Sequence, residues 1–204
     1  MWRFVLSENV RRYQTLVADA GSEAERAKLE QLILDSQLEL EDLEQASTPE
    51  IARHDEALKF FVERVTDEAL TALSAQFSTL QIYDETREHL IILAQKNFRA
   101  PFLHHLALMK PGDGSACGRC LADDAPAAVK DVNGDPGFAP HRAAAAEAGF
   151  QAVHAAPVRN RSGALIAVLS TYFGAPQQFS GSDLRQIESF AGTIGPNLAK
   201  YLSR

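Results

Sequence analysis

The chain has 204 residues, 46% of them hydrophobic and 23% charged, with a formal net charge of -7. All of the imbalance lies in the first quarter: residues 1–58 carry six basic and thirteen acidic side chains, whereas the remaining 146 carry fourteen of each. No stretch is Lys/Arg-rich, which excludes a direct role on nucleic acid. No apolar run approaches the roughly 20 residues of a membrane span, and two cysteines three apart cannot staple a secreted scaffold.

Residues 59–204 are enough to bury roughly two-thirds of their unfolded surface as one domain. The expectation is therefore a cytoplasmic protein in which an acidic extension, residues 1–48, precedes one globular domain, residues 49–204. Ser7 to Leu16 reads as a short helix, broken at Gly21. Ser22-Glu23-Ala24-Glu25 is a capping box, in which the Ser hydroxyl accepts from the Glu25 amide and the Glu25 carboxylate reaches back to the Ser22 amide. The helix it opens has Leu29, Ile33, Leu40 and Leu43 on one stripe, with Ser36 in a position the pattern reserves for an apolar group. Such a hairpin either covers its own domain or serves as a dimerisation element.

Thr48 as N-cap and Pro49 at the first helical position start a third helix, with Ile51, Leu58, Phe61, Val62, Val65 and Ala69 at helical spacing as far as Leu73. After Leu73 the period changes. Phe77–Tyr83 and His89–Gln95, joined by a polar turn, form an antiparallel hairpin. Short helices over Phe102–Met109 and Cys117–Leu121, a strand over Ala127–Val132 and a turn at Asp135-Pro136-Gly137-Phe138 follow. The alanine-rich helix His141–Glu147 stops at Gly149. Strands over Phe150–Arg159 and Ala164–Phe173 come next, and a final helix opens at Ser180, with a kink expected at Gly195-Pro196. This order predicts an α+β fold, an antiparallel sheet with helices packed on it.

Gly112-Asp-Gly-Ser-Ala-Cys-Gly-Arg, Asp135-Pro-Gly-Phe-Ala-Pro-His-Arg, Ala148-Gly-Phe-Gln-Ala-Val and Ser162-Gly-Ala-Leu-Ile-Ala-Val-Leu-Ser-Thr-Tyr-Phe occur in that order. Together they resemble a GAF domain of bacterial sensor proteins, over roughly residues 59–203. The resemblance implies a sheet whose helices on one side form a homodimer contact. It also implies a small-molecule pocket on the other side, roofed by the segment between Phe98 and Gly149. It leaves the ligand and any cofactor unidentified, because the fold hosts many. Cys117 precedes Gly118 and Cys120 precedes Leu121, unlike the Cys-His pair that attaches bilins. The Asn-Lys part of the cyclic-nucleotide signature is missing, although Phe179 and Asp183 have suggestive spacing. The cysteines of the family's free methionine sulfoxide reductases are spread over separate segments, which this pair is not.

Candidate ligand-binding residues are Cys117, Phe138, His141, Phe150, His154 and Thr171. His154 alternates with Val153 and Ala155 in a strand expected to wall the pocket; it either meets a polar ligand group or is a core histidine bonded to backbone. His141 either meets the ligand or orients its loop, and His54 and His89 read as solvated. Cys117-Gly-Arg-Cys120 offers an alternative function as a redox enzyme or switch: a helix N-terminus and Arg119 would lower the Cys117 thiol pKa. Packing is the other reading of the pair. Two thiols make an incomplete metal site, so no metal is assigned. No triad elbow or paired carboxylates stand out, and the protein is read as a sensor rather than an enzyme. The acidic helices suit a partner with a basic surface. A purely structural interaction protein with a degenerate pocket is the remaining option.

Overall fold

The computed structural model describes residues 2–18, 20–45, 49–84, 89–107 and 109–202. Two helices, α1 (Trp2–Ala18) and α2 (Glu23–Gln45), form the N-terminal hairpin, and α3 (Pro49–Ala72) leads into the sheet domain. The expected Thr48 cap lies outside the described residues. Ser22 caps α2 by accepting from Glu25 N at 3.3 Å, but the Glu25 carboxylate reaches one residue further back than the capping box predicts, to Gly21 N at 3.0 Å.

Strands β1 (Phe77–Asp84), β2 (His89–Lys96), β3 (Ala127–Val129), β4 (Ala152–Arg159) and β5 (Leu165–Phe173) form one antiparallel sheet in the order β2-β1-β5-β4-β3. Between β2 and β3 run α4 (Ala100–Ala107) and α5 (Ala116–Asp123). A 3-10 turn (Pro136–His141) and α6 (Arg142–Ala148) then lead to β4, and α7 (Gly181–Leu202) closes the chain. Gly149 ends α6 with φ of 84°, the left-handed conformation its position at the helix C-terminus requires. Helix α7 continues through Gly195-Pro196. Gly195 is there for a close approach: a Cβ at this position would fall on the Arg159 carbonyl of β4.

The sheet separates two apolar cores. On one face Leu80, Ile82, Ile91, Leu93, Ala156, Val158, Ala167 and Leu169 pack against Leu58, Val62, Val65 and Ala69 of α3 and Ile187, Ala191, Ile194 and Leu198 of α7. On the other, Leu90, Ile92, Val153, Ala155, Val168 and Tyr172 lie beneath α4, α5 and the 3-10 turn. Away from the bulge, where Leu93 and Ala94 share a core, the period-2 pleat assigns alternate strand residues to the two cores.

The hairpin's apolar stripe belongs to the second core. Tyr13, Leu16, Leu29 and Leu32 join the cluster under α4 and α5, with Val5 reaching the α3 core instead. Burying four such side chains is worth roughly 1.5–3 kcal/mol each. The hairpin is also tied to the sheet edge. A bulge places Leu80 opposite Ala94 and Gln81 opposite Ile92, and the Ile92 carbonyl accepts from Arg12 Nη1 at 2.9 Å and from Asn9 Nδ2 at 3.5 Å. The edge strand is thereby covered, as an exposed edge requires. No helix among the described residues is long and apolar enough to cross a membrane.

Candidate functional site

In β1 the residues that face the second core are Phe77, Thr79, Gln81 and Tyr83, and in β5 they are Val168, Ser170 and Tyr172. Thr79 pairs with Ser170 across the strands, and Gln81 with Val168. Thr79, Gln81 and Ser170 are fully buried and Tyr172 nearly so, which makes a polar floor inside an apolar cluster. Tyr172 Oη lies 3.3 Å from Thr79 Oγ1, which also approaches Gln81 Oε1 at 3.5 Å. The Gln81 amide nitrogen is buried with no hydrogen-bond partner, an arrangement that costs free energy unless something fills it. Burial raises the Tyr172 phenol above its ordinary value, so it is a neutral hydrogen-bonding group. Phe98, Phe102 and Phe150 stand edge-on around the Tyr172 ring, with centroids at 4.8, 5.9 and 4.9 Å.

The roof is built by the loop before α5 and by the 3-10 turn. Ser115 caps α5, its Oγ accepting from Gly118 N at 3.0 Å, and Asp113 Oδ1 accepts from both Ser115 N and Ser115 Oγ. Cys117 sits in the first helical turn, as expected. Its thiol is nevertheless raised to about 12, because complete burial and the nearby Asp113 carboxylate outweigh the hydrogen bonds from Ser115 and the helix terminus. Burial, reinforced by Cys117, raises Cys120 to about 12 as well. Both are free thiols, and Cys117 donates to Met109 Sδ at 3.4 Å. Arg119 does not serve Cys117. Its guanidinium forks onto Asp135 at 2.8 and 2.7 Å, which holds the Asp135 carboxyl below its usual range. The pair therefore packs, and the redox alternative has no support in its surroundings.

Two glycines let the roof segments interlock. Gly114, at φ of 93°, abuts the Gly137 carbonyl where a Cβ has no room, and a Cβ on Gly137 would crowd Arg119 Nη2. His141 completes the lock: its Nδ1 lies 2.8 Å from His105 Nε2 and its Nε2 lies 2.9 Å from the Asp113 carbonyl. Because a carbonyl only accepts, His141 Nε2–H donates to Asp113, and a neutral His141 then accepts at Nδ1 from His105 Nε2–H. His141 thus ties α4, the α5 loop and the 3-10 turn together, and the Phe138 ring packs against it at 5.3 Å.

The six candidate ligand residues divide between the two faces. Cys117, Phe138, His141 and Phe150 belong to the roof and the core beneath it. His154 and Thr171 do not wall that pocket. Val153 and Ala155 line it, so the pleat turns His154 to the α3 and α7 face together with its cross-strand partner Thr171. There the His154 ring meets Phe179 at 5.8 Å, and burial lowers its pKa to about 4. Neither His154 nitrogen nor the Thr171 hydroxyl has a partner. His54 is half-buried rather than solvated, its ring tilted against Tyr201 at 5.3 Å, whereas the His89 and His104 side chains lie outside the described residues. No group of three or more His, Cys, Asp or Glu able to hold a metal occurs among the described residues. Thr79, Gln81, Ser170 and Tyr172 are absent from the sequence-derived set. Their signal was the presence of polar residues in strands that are otherwise apolar, Ser78, Thr79 and Gln81 in β1 and Ser170 and Thr171 in β5, which does not tell one face from the other.

The roofed face also carries a surface cleft. A cleft of about 440 Å³ is lined by Phe77, Asn97, Arg99, Phe102, Glu147 and Ala148, and its inner side chain, Phe102, is part of the aromatic wall around Tyr172. A five-stranded antiparallel sheet with α3 and α7 on one side and a roofed polar floor on the other has a counterpart among known domains. The family model described as GAF domain matches residues 56–199. The chain belongs to the GAF domain family. The α1–α2 hairpin precedes the matched region, so the part of this GAF protein with the acidic excess lies before the family pattern. No curated protein sequence matches the chain. Solved structures share the fold at low identity. The GAF domain/HD domain protein from Geobacter sulfurreducens is 12% identical, with a TM-score of 0.59 over 72% of this chain and 95% of that one. The second GAF domain of DevS from Mycobacterium smegmatis is 20% identical, with a TM-score of 0.53 over 72% and 96%. The type II free methionine-R-sulfoxide reductase from Thermoplasma acidophilum is 18% identical, with a TM-score of 0.53 over 71% and 96%.

Proposed function

We propose that this GAF domain is a sensory module that binds a small molecule on the floor made by Thr79, Gln81, Ser170 and Tyr172. The observation that carries the reading is the Gln81 amide, fully buried beneath the roof with its nitrogen unpartnered. A bound molecule with a hydrogen-bond acceptor would complete it, and its remainder would lie among Phe98, Phe102, Phe138 and Phe150. Entry is through the cleft beside Phe102, where Arg99 and Glu147 provide charges of both signs. Binding displaces aromatic side chains, and two elements carry the change outward. The α1–α2 hairpin shares the same core, and α3 touches both the hairpin and the sheet. This is a population shift between filled and empty arrangements.

Native mass spectrometry of freshly purified protein and a thermal-shift screen test the reading. A co-purifying molecule, or a compound that raises the midpoint of the native chain but not of Gln81→Leu, supports it. A broad screen in which no compound discriminates the two proteins leaves the structural interaction protein, its pocket filled by its own phenylalanines. The proposal extends to a cytoplasmic homodimer through α3, on which Phe60 is exposed, and to a basic partner on α2. There the exposed Leu34 and Leu38 are bordered by Glu30, Asp35 and Glu41. Light scattering of native and Phe60→Glu protein tests the dimer.

A further inference from the structure

The sheet face opposite the proposed sensing floor holds a second set of polar groups that the fold leaves unpaired. His154 and Thr171 are cross-strand partners, and both are buried at 1% and 0% exposure. The three polar atoms of their side chains have no hydrogen-bond partner. A neutral imidazole offers one donor and one acceptor nitrogen, and a hydroxyl offers both roles. Over the His154 ring stands Phe179, which packs on Phe173 at 5.4 Å. Phe179 belongs to the segment 174–180 between β5 and α7, which has no regular secondary structure.

Phe179 and Phe173 also line an open cleft of about 450 Å³ between the end of α3 and the start of α7. Phe179 thus stands between the cleft and His154. The rest of the lining includes three amides, Gln76, Gln177 and Gln186, and one carboxylate, Asp183, with no lysine or arginine. Asp183 spends Oδ2 on the Ser180 amide and hydroxyl, each at 2.8 Å, which leaves Oδ1 for a visitor. Aromatic rings, amides and a carboxylate suit a planar molecule rich in N–H groups. They do not suit a phosphate or a carboxylic acid, which would meet Asp183 without a cation to offset it.

We propose that the α3–α7 cleft is a second binding site, for an uncharged or cationic planar nitrogen heterocycle, with the His154–Thr171 pair as its inner polar end and Phe179 as its movable wall. The ring stacks on Phe173, its N–H groups meet Asp183 and the glutamines, and rotation of Phe179 admits a ring nitrogen to His154 and Thr171. The site bears on the helices directly. Gln186 Nε2 donates to the Ala72 carbonyl at 2.7 Å, tying α7 to the end of α3, and an occupant that engages Gln186 loosens that tie.

The test uses the full chain with 2-aminobenzimidazole and adenine as probes and benzoate as the anionic control. Nitrogen-15 spectra of the histidine side chains report on His154, and calorimetry gives the affinities. At least one heterocycle should move the His154 ring nitrogens while benzoate leaves them in place. Thr171→Val, which keeps the shape, should weaken that binding about tenfold, the worth of one good buried hydrogen bond. Phe179→Ala should change it at least as much, and Gln81→Met on the other face should leave it unchanged. The proposal is overturned if neither heterocycle moves the His154 nitrogens, if benzoate binds as well, or if Thr171→Val and Phe179→Ala both bind as the native chain does.

Discussion

Protonation of His154 should be a main acid-sensitive step in the stability of this protein. In the unfolded chain the imidazole titrates at 6.5; in the fold, burial with no partner at either nitrogen lowers it to about 4. Between those values the unfolded state binds the extra proton, so stability rises with pH across the window. The contribution is complete above pH 6.5 and is lost as pH falls towards 4. At about 1.4 kcal/mol for each pH unit of difference, the loss reaches roughly 2 kcal/mol at pH 5 and roughly 3 kcal/mol at pH 4. Urea unfolding of the native chain and of His154→Leu, which cannot titrate, should measure it. Carboxylates held low in the fold, such as Asp135, also lose stability on acidification, but they do so in both proteins and cancel in the comparison. The native chain should therefore lose about 2 kcal/mol more than the variant between pH 7.5 and 5, close to 1 M in urea midpoint for a slope of about 2 kcal/mol/M. Parallel midpoints across that range would refute the reasoning, because they would mean that the ring stays hydrated or finds a partner on protonation.

Gln81→Met should raise the stability of the ligand-free protein by roughly 1–2 kcal/mol, since an apolar side chain of similar length replaces an unpaired buried amide; a thermal melt checks this, and a lower midpoint than native contradicts it. Two glycines of α7 should respond with opposite sign to the same change. Gly195→Ala puts a methyl on the Arg159 carbonyl and should cost roughly 1–3 kcal/mol, whereas nothing stands near a Cβ at Gly192, and Gly192→Ala should add up to about 1 kcal/mol in helix propensity. Chemical unfolding of the two variants side by side measures the difference. Finally, a disulfide-exchange reagent at pH 8 should leave Cys117 and Cys120 nearly unmodified in the native protein and label both in urea, because folding raises both thiols to about 12. Rapid labelling of the folded chain would show the burial to be wrong.

Most of the elements were legible in the sequence because their signals are local. Apolar residues three and four apart marked α2 and α3, Ser180 marked the start of α7, and Gly149 marked the end of α6. Among the strings that carried the family resemblance, those between Gly112 and Phe138 bear glycines because Gly114 and Gly137 interlock where a side chain has no room. The face on which each strand residue lies was another matter. Seven of the nine residues of β5 and six of the eight of β4 are buried, so both sides of these strands meet protein and no alternation survives to be read. His154 alternates with Val153 and Ala155 as the pleat requires, but the roofed core lies on their side of the strand, so the expectation that His154 walls it fails.

The thiols show the same division. The sequence correctly put Cys117 in a helical first turn beside an arginine, and local electrostatics then predicted a lowered pKa. Desolvation by α4, the 3-10 turn and the sheet decided the opposite, and Asp135, sixteen residues further along, engaged Arg119. The acidic hairpin is the last case. Its stripe, which includes buried Leu29 and partly buried Ile33, announced that it packs on something. Only the fold directs that stripe onto the core beneath α4 and α5. The sequence by itself thus determined which segments are helix, strand and tight turn, because those depend on neighbours within a few residues. The tertiary structure alone decided which side chains share a core, which polar atoms go unpaired and which groups hold a proton, because desolvation and long-range pairing arise only when distant segments meet.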